Sequence, residues 1–247
     1  MWVVRRDEIH VTPVELGRGG WAVVQVAKFR GLPVAAKCLH LSQYNQHLFI
    51  REMSIASSLR HPNLVQFIGA TTEGQTIILT ELMHTSLRAT LERGPLNAAQ
   101  ITSISIDVAR ALNYLHLMHP DPIIHRDISS TNVLLNPLPS NGWRAKVSAY
   151  GSISYLQHLK TAGPGNPTYA APEANVPKLQ SPKMDVFSYG VLLLEMCSRK
   201  FPSVEERETC LYRVQQPAML GLIQWCLEQQ PQSRPDMSQI LKHFNTP

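Results

Sequence analysis

The chain has 247 residues, a mass of 27.7 kDa and 44% hydrophobic residues, enough to build one large domain or two packed lobes and to exclude a disordered chain. Its 23 Lys and Arg against 18 Asp and Glu give a net charge of +5 and a pI near 9.1, with the charges dispersed. No basic stripe with interleaved aromatics is present, so nucleic acid is not an expected partner, whereas a polyanionic small molecule fits the balance.

The N-terminal stretch MWVVRRDEIHV has no apolar run after its charges and does not read as a signal peptide; its abrupt start suggests a domain of a longer protein. The stretches EIHVTPVELGRGGWAVVQVAKF, LPVAAKCLHL and QTIILTEL are β-rich, with Gly or Pro between them, and predict strands. One helix interrupts them, YNQHLFIREMSIASSLRH. There Leu48, Ile55, Ala56 and Leu59 recur at helical spacing, and His61-Pro62-Asn63 stops it. Helical periodicity then takes over. AAQITSISIDVARALNYLHLM sets Ile101, Ile104, Val108, Ala111, Leu112 and Leu115 on one face. The region 136–183 is proline-rich and aperiodic and reads as loop. SPKMDVFSYGVLLLEMCSR is more hydrophobic, and its run Val191 to Met196 predicts burial on most sides; MLGLIQWCLEQ and MSQILKHF follow. This order predicts an α+β chain: a β-rich N-lobe over 1–83 with one helix, and a mainly α-helical C-lobe over 84–247.

Cys38, Cys197, Cys210 and Cys226 lack C-x-x-C spacing and read as reduced thiols in a cytoplasmic setting. No run of about 18 apolar residues exists to span a membrane. His116 and His119 form the closest histidine pair, but no third ligand accompanies them, so a core or surface role is expected rather than a metal site.

The chemistry-bearing motifs begin at Gly17-x-Gly19-x-x-Ala22. A dinucleotide fold needs a helix after such glycines; here Ala22 to Ala27 is strand-like, so the glycines read as a hairpin tip whose amides could lie over phosphates. Alone, that is an ordinary glycine turn. Lys37 at the end of the next strand would alone be a surface lysine, but Glu52 in the following helix is a partner that could hold its head toward phosphate oxygens. The strongest signal is I-H-R-D-I-S-S-T-N-V-L-L, where Asp127 is followed by Asn132 between apolar flanks. That pairing offers a carboxylate to accept a hydroxyl proton and an amide oxygen to ligate a metal. Ala171-Pro172-Glu173, Asp185 and Arg234 complete the series.

In order and spacing these motifs resemble the eukaryotic protein kinase domain over almost the whole chain, and LRHPNLVQFIGAT, LTELM and RPDM resemble its tyrosine-kinase-like group. The resemblance implies ATP and Mg2+ as cofactors and a protein substrate. It implies that Gly17 and Gly19 lie over the nucleotide, that Val24 and Ala35 sandwich adenine, and that Lys37, braced by Glu52, holds the phosphates. Thr80 takes the gatekeeper position, with Glu81 to Met83 as the adenine-binding hinge. Asp127 would be the base, Asn132 a metal ligand, Asp185 the anchor of the catalytic loop, and Glu173 with Arg234 a structural ion pair. Arg126 would receive a phosphate on the activation segment 149–173, with Ser152, Ser154, Tyr155 and Thr161 as candidates.

One letter departs decisively. K-V-S-A-Y-G-S occupies the D-F-G position, so Ala149 stands where the resemblance places a magnesium-binding aspartate. From Val133 to Pro172 there is no Asp or Glu, so no shift of register supplies the carboxylate. Magnesium is a hard cation that favours carboxylate oxygens. Several kcal/mol of charge stabilisation depend on it, roughly a thousandfold or more in rate at about 1.36 kcal/mol per decade. Ala22 replaces a third glycine, Ser129 stands where serine/threonine kinases often carry lysine, and Asn166 where Thr or Ser often contacts the base. Three readings follow. The chain is a natural pseudokinase that acts as a scaffold or allosteric module, an active kinase domain disabled by design, or a slow enzyme working through Asn132. G-N-P-T-Y-A-A-P-E favours serine/threonine over tyrosine as acceptor.

Overall fold

The computed structural model describes residues 2–19, 22–40, 46–148, 154–155 and 165–245. Ala149, Tyr150 and Gly151 therefore lie outside the described residues, as do Ser152 and Thr161. The chain divides into two compact units, Met1–Met83 and His84–Pro247.

The first unit is a five-stranded antiparallel sheet with one helix. Its strands are β1 (Ile9–Arg18), β2 (Ala22–Phe29), β3 (Leu32–Leu39), β4 (Phe67–Ala70) and β5 (Ile77–Glu81), in spatial order β1-β2-β3-β5-β4; helix α1 (Gln46–Ser58) joins β3 to β4. Side chains alternate across a strand, so the sheet has two distinct faces. Ile9, Ala27, Val34, Ala36, Cys38, Ile77 and Leu79 form a buried apolar cluster. The intervening positions of β3, Ala35 and Lys37, pair with Thr80 and Ile78 on β5, and Lys37 pairs with Val24 on β2. Directly opposed residues share a face. Val24, Ala35, Lys37 and Thr80 therefore project together from the face opposite the cluster.

The second unit is mainly helical. It contains β6 (Thr85–Ser86), α2 (Leu87–Arg93), α3 (Ala98–His116), β7 (Ile123–Ile124), β8 (Val133–Pro137), β9 (Trp143–Val147), β10 (Ser154–Tyr155), α4 (Lys183–Ser198), α5 (Arg207–Leu211), α6 (Pro217–Cys226) and α7 (Met237–Asn245). Helix α3 starts on a capping box: Gln100 N–H donates to Asn97 Oδ1 at 2.9 Å, and Asn97 N–H donates to Gln100 Oε1 at 3.1 Å. Its predicted face holds, with Ile104, Val108, Ala111, Leu112 and Leu115 buried and Ile101 half-buried. Helix α4 is buried at every position from Met184 to Met196. Each fully buried Leu or Val there contributes roughly 1.5–3 kcal/mol, so α4 is the post around which this unit packs.

Part of the region read as loop proves to be structured. Asn136 and Pro137 extend β8, and Trp143 to Ala145 open β9, so NPLPSNGWRA is mostly a hairpin. It is anchored by Asp107 on α3, whose carboxylate accepts the Ala145 N–H at 2.9 Å. Among the described residues no helix is long and apolar enough to cross a membrane.

Candidate active site

The second unit carries the loop that bears Asp127 and Asn132, residues 123–133, built outward from a buried carboxylate. Asp185, in the first turn of α4, is fully buried. Its Oδ2 accepts the His125 N–H at 2.8 Å and the His116 ring Nε2–H at 2.8 Å, and its Oδ1 accepts the Arg126 N–H at 2.9 Å. A buried carboxylate is tolerated only when hydrogen-bonded in this way. Burial alone would push the Asp185 carboxyl up, but the hydrogen bonds from the His116 ring and the His125 amide outweigh it and hold the group below its ordinary range. The two amides fix a demanding backbone, because Arg126 has φ 71°. A non-glycine residue in that left-handed region costs on the order of 1–3 kcal/mol unless its surroundings enforce it. His116 closes α3 and fills a core role; its bond to Asp185 was not visible from the sequence.

A pH prediction follows from this depressed group. A carboxyl with a lowered folded pKa contributes stability that is complete above the unfolded value of about 3.9 and is lost as pH falls through the folded value. Melting temperature should therefore drop with acid below about pH 4, and Asp185→Asn should flatten that slope besides lowering the whole curve. An unchanged slope in the variant would count against Asp185 as a source of acid sensitivity.

The same loop orients Asp127. Its N–H donates to His125 Nδ1 at 3.2 Å, which makes Nδ1 an acceptor and leaves Nε2–H to donate to the Ser148 carbonyl at 2.9 Å. Asn132 Nδ2 donates to the Asp127 carbonyl at 2.8 Å and to its Oδ2 at 2.7 Å. Asp127 Oδ1 accepts the Asn166 N–H at 2.9 Å. Both carboxylate oxygens are thus held by N–H donors, a pattern that fixes where the carboxylate points. Asn166 makes its contact through the backbone; its side-chain oxygen accepts the Thr168 N–H at 3.1 Å. Gly165 must lie almost on Asp127, since a Cβ there would sit 2.6 Å from the Asp127 Cγ. Gly165→Ala is expected to lose about 1–3 kcal/mol through overpacking and to shift the Asp127 carboxyl resonance, read by thermal melting and by carboxyl NMR titration. Wild-type values for both would refute this contact.

A second buried group ties the loop to the segment that follows. Ser130 Oγ donates to Glu195 Oε1 at 3.0 Å and lies 3.1 Å from the Tyr169 hydroxyl, which donates to Glu195 Oε2. Arg88 pairs with Glu195 at 2.9 Å and reaches the Tyr169 hydroxyl at 3.2 Å. Burial raises the Tyr169 and Glu195 pKa values, Glu195 against the opposing bonds from Tyr169, Ser130 and Arg88. These partners are spread along the sequence, and no local spacing announces them. Glu173 and Arg234 form the expected ion pair, bidentate at 2.6 and 2.9 Å and buried.

In the first unit, most of the residues proposed for nucleotide lie on β1–β3 and β5, with Gly19 just after β1 and Met83 two residues beyond β5. Gly17 pairs with Val24, and Gly19 N–H donates to the Ala22 carbonyl at 2.9 Å across the hairpin tip. Lys37 is half-buried on β3, and Glu52 is half-buried in the middle of α1. Glu81 is engaged with Gln66: Glu81 N–H donates to the Gln66 carbonyl at 3.0 Å, and Gln66 N–H donates to Glu81 Oε1 at 2.6 Å. Met83 is buried at the end of this unit. Ser154 and Tyr155 form β10 against β7.

A sequence model of the protein kinase domain matches residues 11–244. The chain belongs to the protein kinase domain family. Within the eukaryotic kinases it sides with the tyrosine-kinase-like group, and its two units are the lobes of the α+β kinase fold. The kinase domain is 34% identical over 245 residues to a probable serine/threonine-protein kinase of Dictyostelium discoideum, covering 92% of this chain and 23% of that protein. It is 31% identical to the seven transmembrane domain-containing tyrosine-protein kinase 1 of Dictyostelium discoideum over 258 residues, covering 92% of this chain and 36% of the relative. It is 30% identical to the serine/threonine-protein kinase CTR1 of Arabidopsis thaliana over 256 residues, covering 92% and 30%. The chain thus spans only 23% to 36% of these three relatives.

Kinase domains in general use ATP with magnesium. The donor set here does not fit a magnesium site of that kind. Asn132 has its amide nitrogen turned onto Asp127, which leaves one neutral oxygen, and the sequence from Val133 to Pro172 offers no carboxylate. Among the described residues no group of three or more His, Cys, Asp or Glu side chains could hold a metal ion.

Proposed function

We propose that this kinase domain binds ATP but transfers its phosphoryl group poorly or not at all, and that Ala149 is the main lesion. The observation that carries the reading is the missing carboxylate: Asn132 is in place and Asp127 is oriented, yet the sequence provides no acidic residue from Val133 to Pro172. In this reading Gly17, Gly19, Val24, Ala35, Lys37, Thr80, Glu81 and Met83 hold ATP, Glu52 braces Lys37, and Asp127 is the base. Mg2+ binding is weakened because a neutral amide oxygen replaces a carboxylate-centred pair. The acceptor is a serine or threonine of a protein substrate, supported by G-N-P-T-Y-A-A-P-E and by relatives named as serine/threonine kinases, although others are named tyrosine and dual specificity kinases. Four free cysteines support a reducing, cytoplasmic setting.

The second reading is a non-catalytic scaffold or allosteric module. The survival of Lys37, Glu52, Asp127 and Asn132 favours a site lost at one position, natural or engineered, over one long degenerate. Thermal melting with ATP separates the two. A ligand at a hundred times its Kd stabilises by about 2.7 kcal/mol. ATP is expected to raise the melting temperature, Mg2+ to add little, and Lys37→Met to abolish the shift. No shift with ATP, with or without Mg2+ or Mn2+, would give the scaffold reading the decision.

A further inference from the structure

The turn after Gly165 is gripped by a side chain from α5. Arg207 Nη2 donates to the Thr168 carbonyl, 39 residues away in sequence. Within the turn, Tyr169 N–H donates to the Asn166 carbonyl at 3.0 Å, and Thr168 N–H donates to Asn166 Oδ1 at 3.1 Å. Asn166 N–H in turn donates to Asp127 Oδ1 at 2.9 Å. Thr168 therefore stands between Arg207 and the donor that meets Asp127.

Arg207 itself rests on the core of this unit. Its guanidinium lies 5.3 Å from the centre of the Phe187 ring, and Phe187 is a buried residue of α4. A planar guanidinium can lay its face on a ring while its edge donates to a carbonyl. Ser188, the next residue of α4, donates to the Tyr169 carbonyl at 2.8 Å. Two consecutive carbonyls of the turn are thus tied to α4, Tyr169 directly and Thr168 through Arg207. Packing alone does not account for an arginine here. Its Nε is buried and has no partner among the described residues. A buried donor left unsatisfied is a cost that an apolar side chain of similar length would avoid.

We propose that Arg207 is a positioning residue for Asp127: by holding the Thr168 carbonyl it fixes the turn whose Asn166 N–H meets the Asp127 carboxylate. The inference rests on the reading that Asp127 is the base. It makes the aim of that carboxylate depend on α5, a helix that supplies none of the residues proposed for ATP or catalysis.

The test compares the full chain with Arg207→Met and Arg207→Lys, by amide hydrogen exchange and by the Asp127 carboxyl NMR resonance. Arg207→Met keeps an unbranched stem and loses the donor. Exchange at Asn166 and Thr168 should then quicken about tenfold or more while α3 and α4 keep their protection, and the Asp127 resonance should move. Arg207→Lys should recover most of both, because one bond to one carbonyl needs no fork. Neither readout involves phosphoryl transfer. Transfer by an Ala149→Asp chain that survives Asp127→Asn would instead remove the base reading, and with it the catalytic meaning of the contact. Parent-like exchange and resonance in Arg207→Met, equal loosening of α4, or an Arg207→Lys chain no better than Arg207→Met overturns the proposal.

Discussion

Ala149→Asp should raise autophosphorylation by about a hundredfold or more over the parent chain. A divalent cation bound by a carboxylate supplies several kcal/mol of charge stabilisation to phosphoryl transfer, and about 1.36 kcal/mol is worth a decade in rate. The residue before it is already held. Ser148, next in sequence, is fixed from two sides: its N–H donates to the Asn132 carbonyl at 2.8 Å, and its carbonyl accepts from His125 Nε2 at 2.9 Å. Asn132 keeps its amide nitrogen on Asp127, so its oxygen is the atom left for a cation. If the variant folds, binds ATP and still transfers no phosphate, then Ala149 is not the main lesion. Ser129 and Asn166, the other departures around Asp127, would then become the suspects.

Arg234→Ala should lose about 3–5 kcal/mol, enough to unfold a marginal domain. Arg234 is fully buried, and every interaction it makes would be orphaned together. Its guanidinium forks onto Glu173, donates to the carbonyls of Lys183, Glu228 and Gln229, and lies 4.9 Å from the Phe187 ring centre. Removing it leaves the Glu173 carboxylate buried without its cation, the costly half of breaking such a pair. Arg234→Lys should rescue little, because a single ammonium cannot make the fork. Chemical denaturation would measure both, and a loss below about 1 kcal/mol for Arg234→Ala would put the pair among ordinary surface salt bridges.

The sequence was most legible where chemistry forces residue types into fixed spacing. Asp127 and Asn132, five residues apart, were readable because both must be presented by one loop. Lys37 was likewise read on a strand, and it lies on β3. It was least legible where partners meet only through the fold. His116 and Ser130 look unremarkable locally, yet one holds Asp185 and the other joins Tyr169 and Glu195. The hairpin of β8 and β9 hid among prolines and polar residues because it is supported by Asp107 from α3 rather than by its own pattern. Asn166 was read by the habits of side chains, whereas its backbone N–H makes the contact to Asp127 and its side chain caps its own turn.

The central claim is that this sequence retains Lys37, Glu52, Asp127 and Asn132 for phosphoryl transfer but lacks the metal-binding carboxylate. The most direct test is incorporation of radiolabelled γ-phosphate by the parent chain beside Asp127→Asn, with Mg2+ and with Mn2+. The account predicts that both remain at background. Incorporation by the parent that Asp127→Asn abolishes would contradict it, since the chain would then be a working kinase without that carboxylate.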